Sequence, residues 1–299
     1  MTGRKQHYGQ FYGLAPIAPD DRPLLVVHGN CQAESLRVLL DGAASPVRAV
    51  RLPPVHELTA DDLPHLDRLL AQVDVLVSQP VRAGYRGLPL GTAELLARAP
   101  RRPRLVVVPV IRWAALHPFQ VIVRAAAGEP PVVPYADLRT LTLAAGRPAL
   151  PESPSAGAVR AVRDLSVREL RGRQERHGAL PVDDLLVAAG AGAAHTVNHP
   201  GNVVLAGVAA RVLAAAGLPG EVVDPGRTLL DSVHTPVLAS VLDALGLPAE
   251  HASRSWLVHG RRLADDEVRE VQLRWYADHP GVAEAGLARH AEAAAALAG

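Results

Sequence analysis

The sequence predicts an α/β fold, with a parallel sheet in the N-terminal half and a largely helical C-terminal half. Two observations carry this. Three short apolar runs alternate with helical patterns before residue 111, and helical spacing dominates after residue 151. Leu24-Leu25-Val26-Val27, closed by Gly29, reads as a buried strand. Gln32 to Leu40 then carries Leu36, Leu39 and Leu40 and stops near Gly42, as a helix would. Thr59 is the expected N-cap of a helix reaching Gln72, with Asp61 and Asp62 in its first turn. Val73 to Val77 forms the second strand, and Ser78-Gln79-Pro80 closes it. Thr92 is expected to cap a helix through Ala99, and Leu105 to Val108 is the third strand. Strands separated by helices imply parallel pairing with right-handed crossovers.

Beyond Pro148-Ala149-Leu150-Pro151, Val159, Val162, Leu165 and Leu170 share one face of a helix running toward His177. Pro200 is expected to open a helix to Ala216, with Gly217 at its C-cap. Thr235-Pro236 start another that stops at Gly246, Asp265 to Tyr276 is a further one, and the Ala-rich tail after Gly286 closes the chain. The expected organisation is an N-terminal arm (1–22), an α/β sheet region (23–150) and a helical region completing the cleft (151–299), integrated as one domain.

Composition narrows the function classes. Of 299 residues, 48% are hydrophobic and 20% charged, enough for a packed core and too apolar for a disordered chain. Lys5 is the only lysine, so the arginine richness reflects a GC-rich coding background. With a formal net charge of +1, a general nucleic-acid partner is not expected. Cys31 is the sole cysteine, which excludes an intrachain disulfide. Met1 to Gly13 lacks the apolar core of a signal peptide, and Val203 to Gly217 is short and interrupted by Arg211. The expectation is a cytoplasmic chain with no integral membrane segment; homo-oligomer formation stays open.

Ligands of open parallel sheets sit beyond the carboxyl ends of the strands. That rule directs attention to His28-Gly29-Asn30-Cys31-Gln32, to Ser78-Gln79-Pro80 and to the segment from Ile111 to Pro118. Cys31 falls where a strand turns into a helix, a position expected to lower the thiol pKa. The same N–H groups suit an oxyanion or phosphate. Gly29 allows a tight turn, and Asn30 and Gln32 add neutral hydrogen-bonding groups. Alternatively, Cys31 simply packs the first turn.

Asp231-Ser232-Val233-His234 has the spacing that lets a carboxylate orient an imidazole, on a loop expected to enter the Thr235-Pro236 helix. This D-x-x-H arrangement is similar to the base and orienter of SGNH-type hydrolases. Asn198 and His199 lie just before an expected helix start, where either ligand contact or plain capping fits. Gln79, Arg86, Arg112 and His117 follow the second and third strands and are candidate ligand contacts. No zinc spacing, G-x-G-x-x-G or P-loop is present, so no metal and no nucleotide fingerprint is predicted.

Taken together, H-G-N-C-Q, then Q-P with Y-R-G-L-P-L-G-T, then H-P, then N-H-P-G-N, resemble the WcbI-type polysaccharide biosynthesis family from about Leu24 to Leu247. The sheet region is accordingly expected to be Rossmann-like or SGNH-like. The resemblance implies a bacterial capsule pathway, a cleft that binds coenzyme A or acyl-CoA, and an O-acetyltransferase acting on a saccharide acceptor. It places Cys31, Gln32 and His199 at that cleft; His28, Gly29, Asn30, Gln79, Arg86, Arg112, His117 and Asn198, from their places at strand ends and loops, are the further expected cofactor contacts. His234 or His199 is the expected general base, and Asp231 the orienter. Rival expectations are an esterase or thioesterase using Cys31 with Asp231 and His234, and a non-catalytic coenzyme A or glycan binder.

Overall fold

The computed structural model describes residues 3–17, 19 and 21–299; Met1, Thr2, Ala18 and Asp20 of the expected arm lie outside them. The chain folds as two compact units. The first takes the chain up to Val110, with Arg171–Leu185 and Asn202–Leu229; the second takes Ile111–Leu170, Leu186–Gly201 and Leu230–Gly299. The passage out of the first unit therefore falls after Val110, where the parallel sheet is complete, and residue 150 lies inside the second unit.

The sheet of the first unit contains β1 (Leu24–His28), β2 (Arg48–Val50), β3 (Val75–Ser78) and β4 (Arg104–Val107) in the order β2-β1-β3-β4, all parallel. The three expected strands are thus adjacent, with Leu25 opposite Val75 and Val75 opposite Arg104. Asp74 precedes β3 because its carboxylate accepts the Leu24 N–H at 2.8 Å. The unforeseen β2 is a three-residue edge strand, too short for its periodicity to be read.

Every residue of β1 and β3 is buried, as strands covered on both faces require. Helix Cys31–Leu40 buries Ala33, Leu36, Leu39 and Leu40, and helix Asn202–Ala216 packs on it and on β4. Arg211 of that second helix projects to Asp184 at 2.7 Å. Among the described residues, no helix is long and apolar enough to cross a membrane. The N-terminal arm is less polar in its packing than in its composition, since Phe11 and Tyr12 enter the core of this unit.

Two expected caps act differently. Thr59 and Asp62 form a capping box, but on a single 3₁₀ turn, and the α-helix runs only over Leu63–Leu70. Gly91, not Thr92, is the N-cap of helix Thr92–Arg98; the Thr92 hydroxyl instead donates to the Gln79 carbonyl at 3.0 Å.

The second unit combines helices with short antiparallel pairs: β5 (Gln120–Val121) with β6 (Ala136–Asp137), β7 (Ala194–Thr196) with β8 (His199–Pro200), and β9 (Val233–His234) beside β10 (Ser255–Val258) and β11 (Arg261–Ala264). The C-terminal half remains largely helical, through Ala239–Leu245, Asp265–Asp278, Pro280–Arg289 and Ala291–Ala298. Two helix starts are corrected here. His199–Pro200 are strand and the helix begins at Asn202, because Gly201 N–H bonds the Ala193 carbonyl and keeps this stretch in the β7–β8 pair. His234 likewise lies on a strand, not on a loop entering a helix. Thr235 N–H is held by the His195 carbonyl, and Pro236 favours extended backbone before it, so the helix starts at Ala239.

Candidate functional site

In the first unit, β1 ends at His28 and the chain turns through Gly29 and Asn30 into the helix that begins at Cys31. Asn30 is the N-cap, its side chain accepting the Gln32 N–H at 2.9 Å. Gln79, at the end of β3, ties this turn down. Its Oε1 accepts the Asn30 N–H at 2.9 Å, and its Nε2 donates to Gln32 Oε1 at 3.0 Å. Gln79 and Gln32 are both 2% exposed, so these bonds form without competition from water. Both ends of the Gln79 amide serve the turn.

Gly29 is required by that latch. A Cβ at Gly29 would stand 2.3 Å from Gln79 Oε1. Gly29→Ala is expected to break the latch and lower stability by about 1–3 kcal/mol, the usual cost of overpacking. Urea denaturation checks this, and an unchanged midpoint would show that Gln79 is not constrained.

His28 is 1% exposed, and its Nε2 bonds the Leu90 carbonyl at 2.9 Å. Burial holds its pKa down to about 4, so the ring is neutral, while its buried Nδ1 has no hydrogen-bond partner. Cys31 is half-buried. The expected lowering of its pKa is overturned: burial pushes the thiol up, and the opposing N–H groups of Gln32 and Cys31 do not offset it. The helix terminus is legible in the sequence, and the burial is not. Arg86 is exposed and donates to the His56 carbonyl at 3.1 Å.

In the second unit, β7, β8 and β9 gather histidines. His234 Nε2 lies 2.6 Å from Asp231 Oδ1, so the expected carboxylate–imidazole pair is formed. This leaves Nδ1 as the nitrogen available to a proton. His195 stacks on His234 with ring centroids 4.2 Å apart. His199 sits edge-on to Tyr135, whose hydroxyl donates to Asn198 Oδ1 at 2.8 Å and is approached by the Thr196 hydroxyl at 3.0 Å. Asn198 therefore accepts from Tyr135 instead of capping a helix.

Burial lowers His195 and His199 to about 4 each, with the neighbouring His234 adding to both shifts. His117 is also lowered to about 4 by burial, and its Nε2 meets the Ala194 carbonyl at 3.3 Å. All three rings are neutral near pH 7. Among the described residues, no group of three His, Cys, Asp or Glu side chains has the arrangement of a metal site. Arg112 lines a separate cavity of this unit, beside Arg289 and His290.

The structure thus brings Asn30, Cys31, Gln32 and Gln79 together in the first unit, and Asp231 with His234, and Asn198 with His199, in the second. Sequence reasoning missed Tyr135, Thr196, Gln120 and the partnership of His195. Gln120 bridges two loops, since its Oε1 accepts the Val197 N–H at 2.6 Å and its Nε2 donates to the Thr235 hydroxyl at 2.5 Å. His195 had a readable signal in its period-two spacing with His199. Tyr135 had none, because its partners lie more than sixty residues away.

Fold and site together define the class: an α/β protein with its sole thiol at the turn from the first parallel strand into a helix. Residues 24–221 match the family model described as polysaccharide biosynthesis enzyme WcbI. The chain belongs to the WcbI family of polysaccharide biosynthesis enzymes. The matched span includes Cys31, Gln79 and His199 and stops short of Asp231, His234 and the Leu247 limit expected from the motifs. A solved WcbI, described as a novel polysaccharide biosynthesis enzyme, is 20% identical and superposes with a TM-score of 0.75 over 93% of this chain and 98% of its own. That structure is of native protein without a disulfide between coenzyme A and one of its cysteines. At this identity the likeness establishes a shared fold. No curated protein matches the sequence.

Proposed function

We propose that this chain is a coenzyme A-dependent acyltransferase, in the first instance an acetyltransferase, acting on a hydroxyl of a sugar or similar polar acceptor. The proposed setting is a cytoplasmic step of a bacterial capsule pathway. The observation that carries the reading is the half-buried Cys31 at the carboxyl end of β1, in a family with a solved member described in terms of coenzyme A and a cysteine.

The residues of the turn suit such a ligand. Cys31 offers an uncharged thiol, and the buried Nδ1 of His28, whose Nε2–H is committed to Leu90, is an acceptor still lacking a donor. Cys31, Gln32 and His28 would hold the thiol-bearing arm, and Arg86 offers charge for a phosphate. Coenzyme A, when bound, supplies the acyl group as a thioester.

The chain's own residues supply proton transfer and orientation. His234, held by Asp231 in the second unit, would take the proton of the acceptor hydroxyl during acyl transfer and give it up again once the thiol is released. His199, depressed to about 4, is a weaker base near neutral pH and is assigned to acceptor contact with Asn198. The Gln32 N–H, already committed to Asn30, is a poorer oxyanion donor than its position suggests. The Cys31 N–H takes that role in this reading.

Acetyl-CoA incubated with the protein and a panel of monosaccharide acceptors tests the reading. Acceptor-dependent release of the coenzyme A thiol is expected. Release to water alone would favour the esterase or thioesterase, and binding without release the non-catalytic binder. A raised thiol pKa argues against Cys31 as a nucleophile. Alkylation by iodoacetamide should accordingly be slow at pH 7, increase only as pH passes the ordinary thiol value of about 8.5, and be blocked by coenzyme A. Cys31→Ala should keep much of the turnover. Rapid alkylation at pH 7 together with a dead alanine variant would restore the nucleophile.

A further inference from the structure

The second unit contains a cavity of about 310 Å³ that the acyl-transfer reading does not use. Small-molecule sites begin at roughly 300 Å³, so the space admits a compact ligand. Its lining combines apolar Val121, Ile122, Val162 and Leu165 with the cationic Arg112 and Arg289 and the imidazole of His290. Glu169 also lines it, so two fixed positive charges face one negative. Among the described residues Arg289, at the end of helix Pro280–Arg289, has no carboxylate partner.

The polar lining is built, not incidental. His290 Nε2 bonds the Ile122 carbonyl at 3.1 Å, which fixes the ring against the wall. Ser166, 7% exposed, accepts the Ala114 N–H at 3.2 Å and keeps its own O–H to give. Burial lowers the His290 pKa, and the positive field of Arg289 and Arg112 lowers it further against the opposing pull of Glu169. The local field is therefore net positive. The wall is also coupled to the histidine loops through Gln120, which bonds both Val197 and Thr235.

We infer that this cavity binds a small organic anion, a carboxylate or phosphate head on an apolar body, with the head on Arg289 and Arg112 and the body against Val121, Ile122, Val162 and Leu165. Arginine matches either head through paired N–H donors, and the apolar wall selects against the bare inorganic ion. The inference stands independently of the coenzyme A reading.

Calorimetric titration of the full chain with benzoate, phenyl phosphate and benzyl alcohol tests it. These probes share a ring and differ in the head. Saturable binding of benzoate, phenyl phosphate or both, at least tenfold tighter than benzyl alcohol, is expected, and which anion wins identifies the head. Arg289→Ala should weaken that binding about tenfold, the effect of one charge-assisted hydrogen bond. Ala293→Leu, which fills the cavity without changing charge, should abolish it. Circular dichroism confirms that both variants are folded. No saturable anion binding, benzyl alcohol binding as tightly as the anions, or full affinity in both variants would overturn the inference.

Discussion

His234→Ala is expected to lower acyl-transfer turnover by about two to four orders of magnitude, the span associated with removal of a general base. Two observations make His234 the candidate. Its imidazole is held by Asp231 at 2.6 Å, and the other clustered rings, His117, His195 and His199, are driven down to about 4 by burial. A base works best with a pKa near the operating pH, which those three are far below. Its ring is partly exposed on β9, so truncation removes no large part of the core. Unfolding midpoint and coenzyme A affinity should therefore change little. Measured with acetyl-CoA and the best acceptor of the panel, near-normal turnover in this variant would move the base role to His199. Asp231→Asn should give a smaller loss, since it removes the charge but retains a hydrogen-bonding partner.

The largest stability effect is expected at Arg139. Its side chain is 9% exposed and meets Asp137 at 2.6 Å and Asp265 and Glu152 at 3.2 Å each. The guanidinium lies 4.6 Å from the centre of the Phe119 ring, and Asp137 also caps helix Leu138–Ala144 by accepting the Arg139 N–H. Asp265 in turn accepts from Trp256 Nε1 at 2.8 Å. Removing the cation takes the counter-charge from Asp265 and from the capping Asp137, while Glu152 keeps Arg269 at 2.9 Å. Breaking such a pair from one side costs about 3–5 kcal/mol. Arg139→Met, which keeps an apolar stem over Phe119, should lower the stability of the second unit by that amount in urea denaturation followed by near-ultraviolet circular dichroism. A loss below about 1 kcal/mol, the range of exposed ion pairs, would show that solvent already screens the cluster.

The sequence by itself determined the elements whose signals are local. β1, β3 and β4 were legible because each carries a short apolar run between turn residues; β1 and β3 are buried throughout, and the edge strand β4 keeps the same apolar run at Leu105 to Val107. The turn at Cys31 was legible because Gly29 follows the strand directly and a helical pattern starts at Gln32; that Asn30 caps the helix came from the structure. The Asp231–His234 pair was legible because three residues of separation suffice to bring the two side chains together.

Tertiary structure decided what depends on distant partners. β2 and the two-residue strands β5, β6, β8 and β9 exist through pairing and have no periodicity of their own. His199–Pro200 and Thr235–Pro236 have the composition of helix starts, but backbone bonds to Ala193 and His195 hold them extended. The sign of the Cys31 shift was decided the same way. A helix N-terminus is visible in sequence, whereas the burial that outweighs it arises only on folding. Tyr135 joins Asn198 and His199 only in the folded unit. Local propensity and spacing act over a few residues, while desolvation and long-range hydrogen bonds act wherever folding brings groups together.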